Sequence, residues 1–447
     1  MFGKALVACS AVLAITTQVS AIATISAVGS KFFTSDGDQW YVKGVAYQLT
    51  EKDPLVDTTQ CKLDASLMED LGANAIRVYH VDADSDHDGC MTAFADAGVY
   101  LFLDLDTFNT AISGTDPHWN ETQLSAFEAV LDTFSGYDNL AGVFVGNEVL
   151  TTPADSGAAP YVLAAARDVK AYRDKKNYRD IPVGYSAADI ASLRPMLQNY
   201  FECRDNASER LDFFSLNAYE WCGDSSYTVS GYSTLQSQAE GYPVPIFFSE
   251  TGCNTVQPRT FDDQAAILGS DMDGTWSGAI IYEWIEEVNN YGLVSYGPEV
   301  AATATGSNIQ DGFTRSGTPT PVSPDFSNLK SQWATLTPTG TPLSAYTDSS
   351  STLPACPATT ASGWTVDASA SLPTLGQTGS NTASATSGAA TSGSSASGTA
   401  SGASASTSSA AALKVANPVS AIMGEGGIIS ATVAALMLLG AGFVWWL

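Results

Sequence analysis

Val143-Phe144-Val145-Gly146-Asn147-Glu148 and Ile246-Phe247-Phe248-Ser249-Glu250-Thr251-Gly252 are two short apolar runs that each lead into a glutamate. Each run has the length of a buried strand, and each acid falls where that strand would emerge. Counting these two, strands are predicted near Tyr41–Tyr47, Ala75–Tyr79, Tyr100–Asp104, Val143–Gly146, Pro182–Tyr185, Phe213–Asn217, Ile246–Ser249 and Gly278–Glu283. Between them Leu63–Leu71, Cys90–Ala97, Gln123–Phe134, Tyr161–Tyr172 and Ile190–Asn199 have helical composition or spacing. Strands alternating with helices in this way close most economically as a parallel (β/α)8 barrel, an α/β fold, because consecutive right-handed crossovers can complete the sheet. Closure would carry Glu148, after strand four, and Glu250, after strand seven, into one bowl at the strand C-termini, where catalytic groups gather.

Two carboxylates facing one cleft are the equipment for breaking a glycosidic bond. With retention, one acid protonates the leaving oxygen while the other attacks the anomeric carbon, from carboxyls about 5–5.5 Å apart. Their surroundings must then hold one protonated and the other ionised. Glu148 reads as the acid/base and Glu250 as the nucleophile. Asn147 could bond a sugar hydroxyl beside the reacting centre, and Tyr219, ending strand six, could donate to Glu250 and keep it anionic. Tyr79, Phe108, Trp221, Tyr282, Trp284 and Tyr291 follow predicted strands, and sugar C–H faces stack on such rings. His80 and His87 lie in a loop rich in acids, Val81 to Asp88, whose spacing departs from a calcium loop, so a solvated loop is expected. No cofactor or metal is expected: no close Cys-x-x-Cys pair exists and only three histidines occur.

The chain of 447 residues opens on a secretory pattern, Lys4, an apolar stretch from Ala5 to Ile15, then Val19-Ser20-Ala21. Cleavage is expected after Ala21, with Ala23 as second choice. Residues 22–357 are long enough for one large catalytic domain. From Ala358 to Ala412 the sequence is almost entirely Ser, Thr, Ala and Gly and reads as a disordered, O-glycosylated stalk. Residues 413–447 read as a propeptide whose apolar tail, Gly427 to Leu447, is followed by no basic residue. With the small residues upstream, this matches a signal for glycosylphosphatidylinositol (GPI) attachment at Ser408, Ser409 or Ala410, Ser409 being the central choice. Asn120 and Asn206 head N-glycosylation sequons. Beyond the leader six cysteines remain, Cys61, Cys90, Cys203, Cys222, Cys253 and Cys356, which suggests three disulfides with the pairing left open. Nineteen basic residues against 47 acidic ones give a net charge of −28, which repels nucleic acid and anionic lipid.

The motifs also occur in a familiar series. Lys43-Gly44-Val45-Ala46-Tyr47-Gln48, Asp53-Pro54-Leu55, Asn74-Ala75-Ile76-Arg77-Val78-Tyr79, Val145-Gly146-Asn147-Glu148, Ser249-Glu250-Thr251-Gly252-Cys253 and Asn289-Asn290-Tyr291-Gly292-Leu293-Val294 follow one another. In this the chain closely resembles the fungal β-1,3-glucanosyltransferases of glycoside hydrolase family seventy-two, over roughly Ile25 to Cys356. The resemblance implies internal cleavage of β-1,3-glucan, a glycosyl-enzyme on Glu250, and transfer to the non-reducing end of a second β-1,3-glucan by a monomeric enzyme on the outer leaflet of the plasma membrane. It implies donor-side contacts from Tyr79, Asn147 and Tyr282 with the loop from Asp106, acceptor-side contacts from Asp189 and Arg194, and a sugar-facing Tyr291. It also implies the pairing Cys61–Cys90, Cys203–Cys356 and Cys222–Cys253. The chain lacks the cysteine-rich module that many members carry after the barrel, has Trp284 where a tyrosine is expected, and has Phe108 in a loop usually given to smaller residues. The competing readings are an endo-β-1,3-glucanase, a β-1,4-glucan hydrolase on the same barrel, and a catalytically silent wall protein.

Overall fold

Eight parallel strands close on themselves: β4 (Val42–Ala46), β5 (Ala75–Val78), β6 (Tyr100–Asp104), β7 (Leu140–Asn147), β8 (Val183–Ala188), β9 (Phe213–Asn217), β10 (Ile246–Thr251) and β11 (Trp276–Ile281). Gly278 to Ile281 of β11 pair with Val42 to Val45 of β4 and complete the barrel. The structure, a computed structural model, describes residues 22–377 apart from 51, 305, 307, 348–351 and 361–362. The expected leader, the attachment residues Ser408 to Ala410 and the apolar tail lie outside the described residues. Among the described residues no helix is long and apolar enough to cross a membrane.

The barrel is preceded by a small antiparallel sheet that sequence periodicity did not reveal, β1 (Ile25–Val28), β2 (Lys31–Thr34) and β3 (Gln39–Trp40). It closes the barrel at one end. Phe32 is fully buried, its ring centroid 6.0 Å from Phe102 and 5.9 Å from both Phe213 and Phe247. Inward-facing aromatics of this size fit only if neighbouring inward positions are small. A Cβ at Gly184 would sit 2.4 Å from the Phe213 ring, and one at Gly142 2.9 Å from it. The interior is thus a packed phenylalanine layer, on which the polar layer of the site rests.

Helices α1 (Thr58–Leu71), α2 (Asp88–Asp96), α3 (Glu121–Phe134), α4 (Ala159–Lys175) and α5 (Arg194–Glu202) follow successive strands. Their starts are chemically marked: Asp57 accepts from Thr59 N and Gln60 N, and Asn120 forms a reciprocal capping box with Gln123. Three further helices were not anticipated, α6 (Tyr232–Ala239), α7 (Asp263–Ile267) and α8 (Asp325–Thr335). The acidic loop departs from the solvated expectation, most of all at His87. His87 is 1% exposed and its Nε2 lies 2.8 Å from Asp53 Oδ2, so this histidine fastens the β4–α1 loop to the start of α2.

Disulfides join Cys61 to Cys90, Cys203 to Cys356 and Cys222 to Cys253, the pairing that the family resemblance implies. Past Cys356 the chain stays folded, which corrects the expected domain edge at residue 357. Trp364 and Val366 are fully buried, and Trp364 packs on Tyr200 of α5 at 5.1 Å. Thr365 N donates to Ser156 Oγ, Arg204 donates to the carbonyls of Ala368 and Ala370, and Gly376 N donates to Trp119 O. A few large side chains hold this strap although its composition is dominated by small residues. Trp364→Ala is expected to lower unfolding stability by about 3–5 kcal/mol, the usual cost of emptying a buried aromatic site, read as a shift of the urea midpoint; an unchanged midpoint would show that the strap contributes nothing.

Candidate active site

Above the phenylalanine layer lies a buried cation. Arg77, on β5, is fully buried with its guanidinium 4.5 Å above the Phe144 ring. Burial alone would push its pKa down, but Asp104 outweighs that and holds the side chain charged. Nε and Nη2 donate to the two Asp104 oxygens at 3.0 and 2.9 Å, the forked geometry that suits a guanidinium to a carboxylate. The remaining donors reach Asn147 Oδ1 at 2.9 Å, Ser186 Oγ at 3.1 Å and Glu250 Oε1 at 3.3 Å. Ser186, Asn217 and Ser249 bond to one another beside it. Sequence reading quoted Arg77 within a motif but assigned it no role; the available signal was a cation inside a run that is otherwise buried.

Strand alternation would send Glu250 to the face opposite Phe247 and Ser249. It points inward because the pairing of β10 with β9 shifts register between Phe248 and Glu250, and such an irregularity re-aims a side chain. The β7–β8 pairing shifts in the same way between Phe144 and Asn147. Glu250 therefore lies within β10, near its end, while Glu148 follows β7 directly with φ at 47°. Left-handed backbone is uncommon for a residue with a Cβ and is found most at functional sites.

The two acids have different surroundings. Glu250, 4% exposed, accepts from the Tyr79 hydroxyl at 2.9 Å, the Tyr219 hydroxyl at 2.8 Å and Arg77. Burial pushes its carboxyl up to about 7, and the negative Glu148 adds to this; Arg77, Tyr219 and Tyr79 work the other way. Glu148 accepts from Asn217 Nδ2 at 3.0 Å, and among the described residues no cation is bonded to it. Burial raises its pKa too, with Asn217 and the more distant Arg77 opposing. When one proton is shared between two such acids, it resides on the one whose anion is less stabilised. By donor count that acid is Glu148, yet burial and the negative Glu148 lift Glu250 to about 7, so near neutral pH Glu250 also holds a share of the proton. Asn147 Oδ1 accepts from Arg77 and from Asn217 Nδ2 at 3.1 Å, an arrangement that commits its oxygen and leaves its amide N–H groups for a ligand.

The other anticipated residues divide into two groups around the bowl. Tyr282 accepts from Gln48 Nε2 at 2.8 Å and meets Tyr291 and Tyr219 edge-on at 5.4 and 6.4 Å. Tyr291 is 3% exposed, so it backs the other two tyrosines rather than presenting an open face. Glu283, fully buried beside them, accepts from Gln48 and from Asn289 Nδ2 at 2.7 Å, and burial followed by the nearby Glu287 lifts its pKa to about 8. Neither Gln48 nor Glu283 was singled out in the sequence. Asp106, in the loop after β6, is half-buried, and burial followed by the charge of Asp104 lifts it to about 8. Asp189 and Arg194 form an ion pair, with Arg194 Nε donating to Gln238 Oε1 at 3.1 Å. Trp284 is not on the rim: it is fully buried and donates to Tyr296. Trp221 is half-buried and packs on Tyr232.

The family profile described as glucanosyltransferase, of glycoside hydrolase family 72, matches residues 14–312. The chain belongs to the glucanosyltransferase family. It is 40% identical over 357 residues to the 1,3-beta-glucanosyltransferase gas2 of Schizosaccharomyces pombe, covering 76% of this chain and 73% of that protein. With the 1,3-beta-glucanosyltransferase GAS5 of Saccharomyces cerevisiae identity is 42% over 311 residues, 67% of this chain and 64% of the other. The solved structure of Saccharomyces cerevisiae Gas2p in complex with laminaritriose and laminaritetraose superimposes with a TM-score of 0.70 at 38% identity, covering 80% of this chain and 77% of that one. A glutamate-to-glutamine variant of Gas2p, in complex with laminaritetraose and laminaripentaose, gives a TM-score of 0.69 at 38% identity, covering 78% of this chain and 74% of that one.

Two outcomes test this glucanosyltransferase site. Tyr219→Phe and Tyr79→Phe each remove one donor to the Glu250 carboxylate, an interaction of about 1.5–3 kcal/mol, so kcat/KM should fall roughly 10- to 100-fold with the fold intact by circular dichroism. The raised Glu250 pKa also has a stability consequence. The native protein holds this proton more tightly than the unfolded chain, whose glutamates titrate at about 4.3, so stability from this group is present at low pH and is lost as pH rises through about 7. Glu250→Gln should remove that loss, on the order of 1–3 kcal/mol, when urea unfolding is compared at about pH 5 and about pH 8; parallel wild-type and variant curves would contradict it.

Proposed function

We propose that this chain is a retaining β-1,3-glucanosyltransferase, with Glu250 as nucleophile and Glu148 as acid/base. The observation that carries the assignment is the unequal support of the two acids in one bowl: a guanidinium and two phenols for Glu250, a single amide for Glu148. Family membership and the laminari-oligosaccharides named in the Gas2p complexes support β-1,3-glucan as substrate.

In the first half-reaction the Glu250 carboxylate attacks the anomeric carbon while Glu148 gives its proton to the glycosidic oxygen. The C–O bond breaks and the reducing-end fragment leaves with that proton. In the second, Glu148, now a carboxylate, takes the proton from the non-reducing-end hydroxyl of another glucan. That oxygen bonds to the anomeric carbon and Glu250 is released, giving an elongated β-1,3-glucan with the original configuration. Tyr79, Asn147, Tyr282 and the Asp106 loop serve the donor, with Tyr291 behind the tyrosines. The Asp189–Arg194 pair after β8 serves the acceptor, whose binding must position a hydroxyl better than water for transfer to win over hydrolysis.

The protein acts as a monomer at the outer face of the plasma membrane, held by a GPI anchor after leader removal and glycosylated at Asn120 and Asn206. The Asn120 and Asn206 side-chain oxygens are engaged as helix caps, and the amide nitrogens are the atoms that a glycan would take.

Incubation with reduced laminari-oligosaccharides should yield products longer than the substrate; exclusively shorter products would make the protein an endo-β-1,3-glucanase. Glu250→Gln should abolish both cleavage and transfer, and Glu148→Gln should lower kcat by about 10²- to 10⁴-fold. Phosphatidylinositol-specific phospholipase C should release the native protein from membranes, and retention after treatment would refute the anchor.

A further inference from the structure

Among the described residues Phe108 is the aromatic side chain most open to solvent, at 54%, and the other large apolar side chains that stand out are aliphatic. It is not loose. Its ring stacks on His80 with centroids 4.4 Å apart and planes 26° from parallel. His80 Nδ1 in turn lies 3.4 Å from the Asp106 carbonyl oxygen, in the loop that carries Phe108. The pair therefore bridges the loops after β5 and β6, with one face of Phe108 covered by imidazole and the other open.

Its place along the chain ties it to the chemistry. His80 follows Tyr79, which donates to Glu250, and Phe108 lies four residues after Asp104, which anchors Arg77. An immobilised aromatic face in water, beside a cleft for a neutral sugar polymer, suits the apolar C–H face of a pyranose, and stacking there needs no charged partner. Burial holds His80 below its ordinary pKa, so the imidazole supports the ring as a neutral plane.

We infer that His80 and Phe108 form a stacking platform that extends the glucan track beyond the catalytic bowl on the β5–β6 side and sets the chain length this enzyme prefers. The inference rests on the β-1,3-glucan reading above. Phe108 is a specificity residue that touches a distal sugar, and His80 is a positioning residue acting through it.

The test compares the wild type with Phe108→Ala, Phe108→Trp and His80→Ala on reduced β-1,3-oligosaccharides of increasing length, recording KM, kcat and product sizes. Phe108→Ala should raise KM for long donors about three- to tenfold, leave short donors unchanged, keep kcat within about twofold, and move the preferred cleavage position. Phe108→Trp should restore the long-donor KM, and His80→Ala should change it in the same direction as Phe108→Ala. If the wild type elongates β-1,3-glucan but Phe108→Ala shifts all lengths equally or none, the platform is wrong and the functional reading stands. A tryptophan variant that behaves like the alanine one would also overturn the platform. A wild type inactive on every β-1,3-glucan overturns the function and the platform with it.

Discussion

The arrangement depends on keeping Arg77 charged where no water reaches it. An isolated buried cation costs several kcal/mol, and here the cost is offset by the forked bond to Asp104 and by oxygen partners on β7, β8, β9 and β10. Because those partners come from so many strands, the guanidinium measures whether the barrel has closed in register. The phenylalanine layer beneath excludes water and lets the charge act at low dielectric. Closure of the sheet and the anchoring of Glu250, the proposed nucleophile, are thus two results of one ion network.

That network also makes two chemically identical side chains unequal. Glu148 and Glu250 are both lifted by burial, and what separates them is the donors that the fold supplies. The Tyr79 ring lies 4.4 Å from the Arg77 guanidinium carbon while its hydroxyl meets Glu250, so the tyrosine is steered by the same cation that it helps. Asn217 serves both sides, accepting from Ser186 and Ser249 through its oxygen and giving its N–H groups to Asn147 and Glu148.

The barrel was legible because its strands are largely buried and read as mainly apolar runs; Tyr100–Asp104 and Phe213–Asn217 match to the residue. The two glutamates proposed as catalytic were legible from their positions at strand ends, but their direction was not, since simple alternation points Glu250 the wrong way and only the register shift restores it. Arg77 was overlooked because its meaning lies in partners on other strands. The small sheet before the barrel escaped notice because strands of two to four residues carry little periodicity. The strap after Cys356 was misread because composition averages over a window, whereas Trp364 acts as a single anchor.

Glu148 sits in a left-handed backbone conformation, where glycine or asparagine would rest more easily. Either replacement would ease the turn yet discard the carboxyl proposed as proton donor. Selection for sturdier folding and selection for turnover therefore pull against each other at one codon, and drift toward a relaxed backbone there would leave a well-folded lineage of inert barrels.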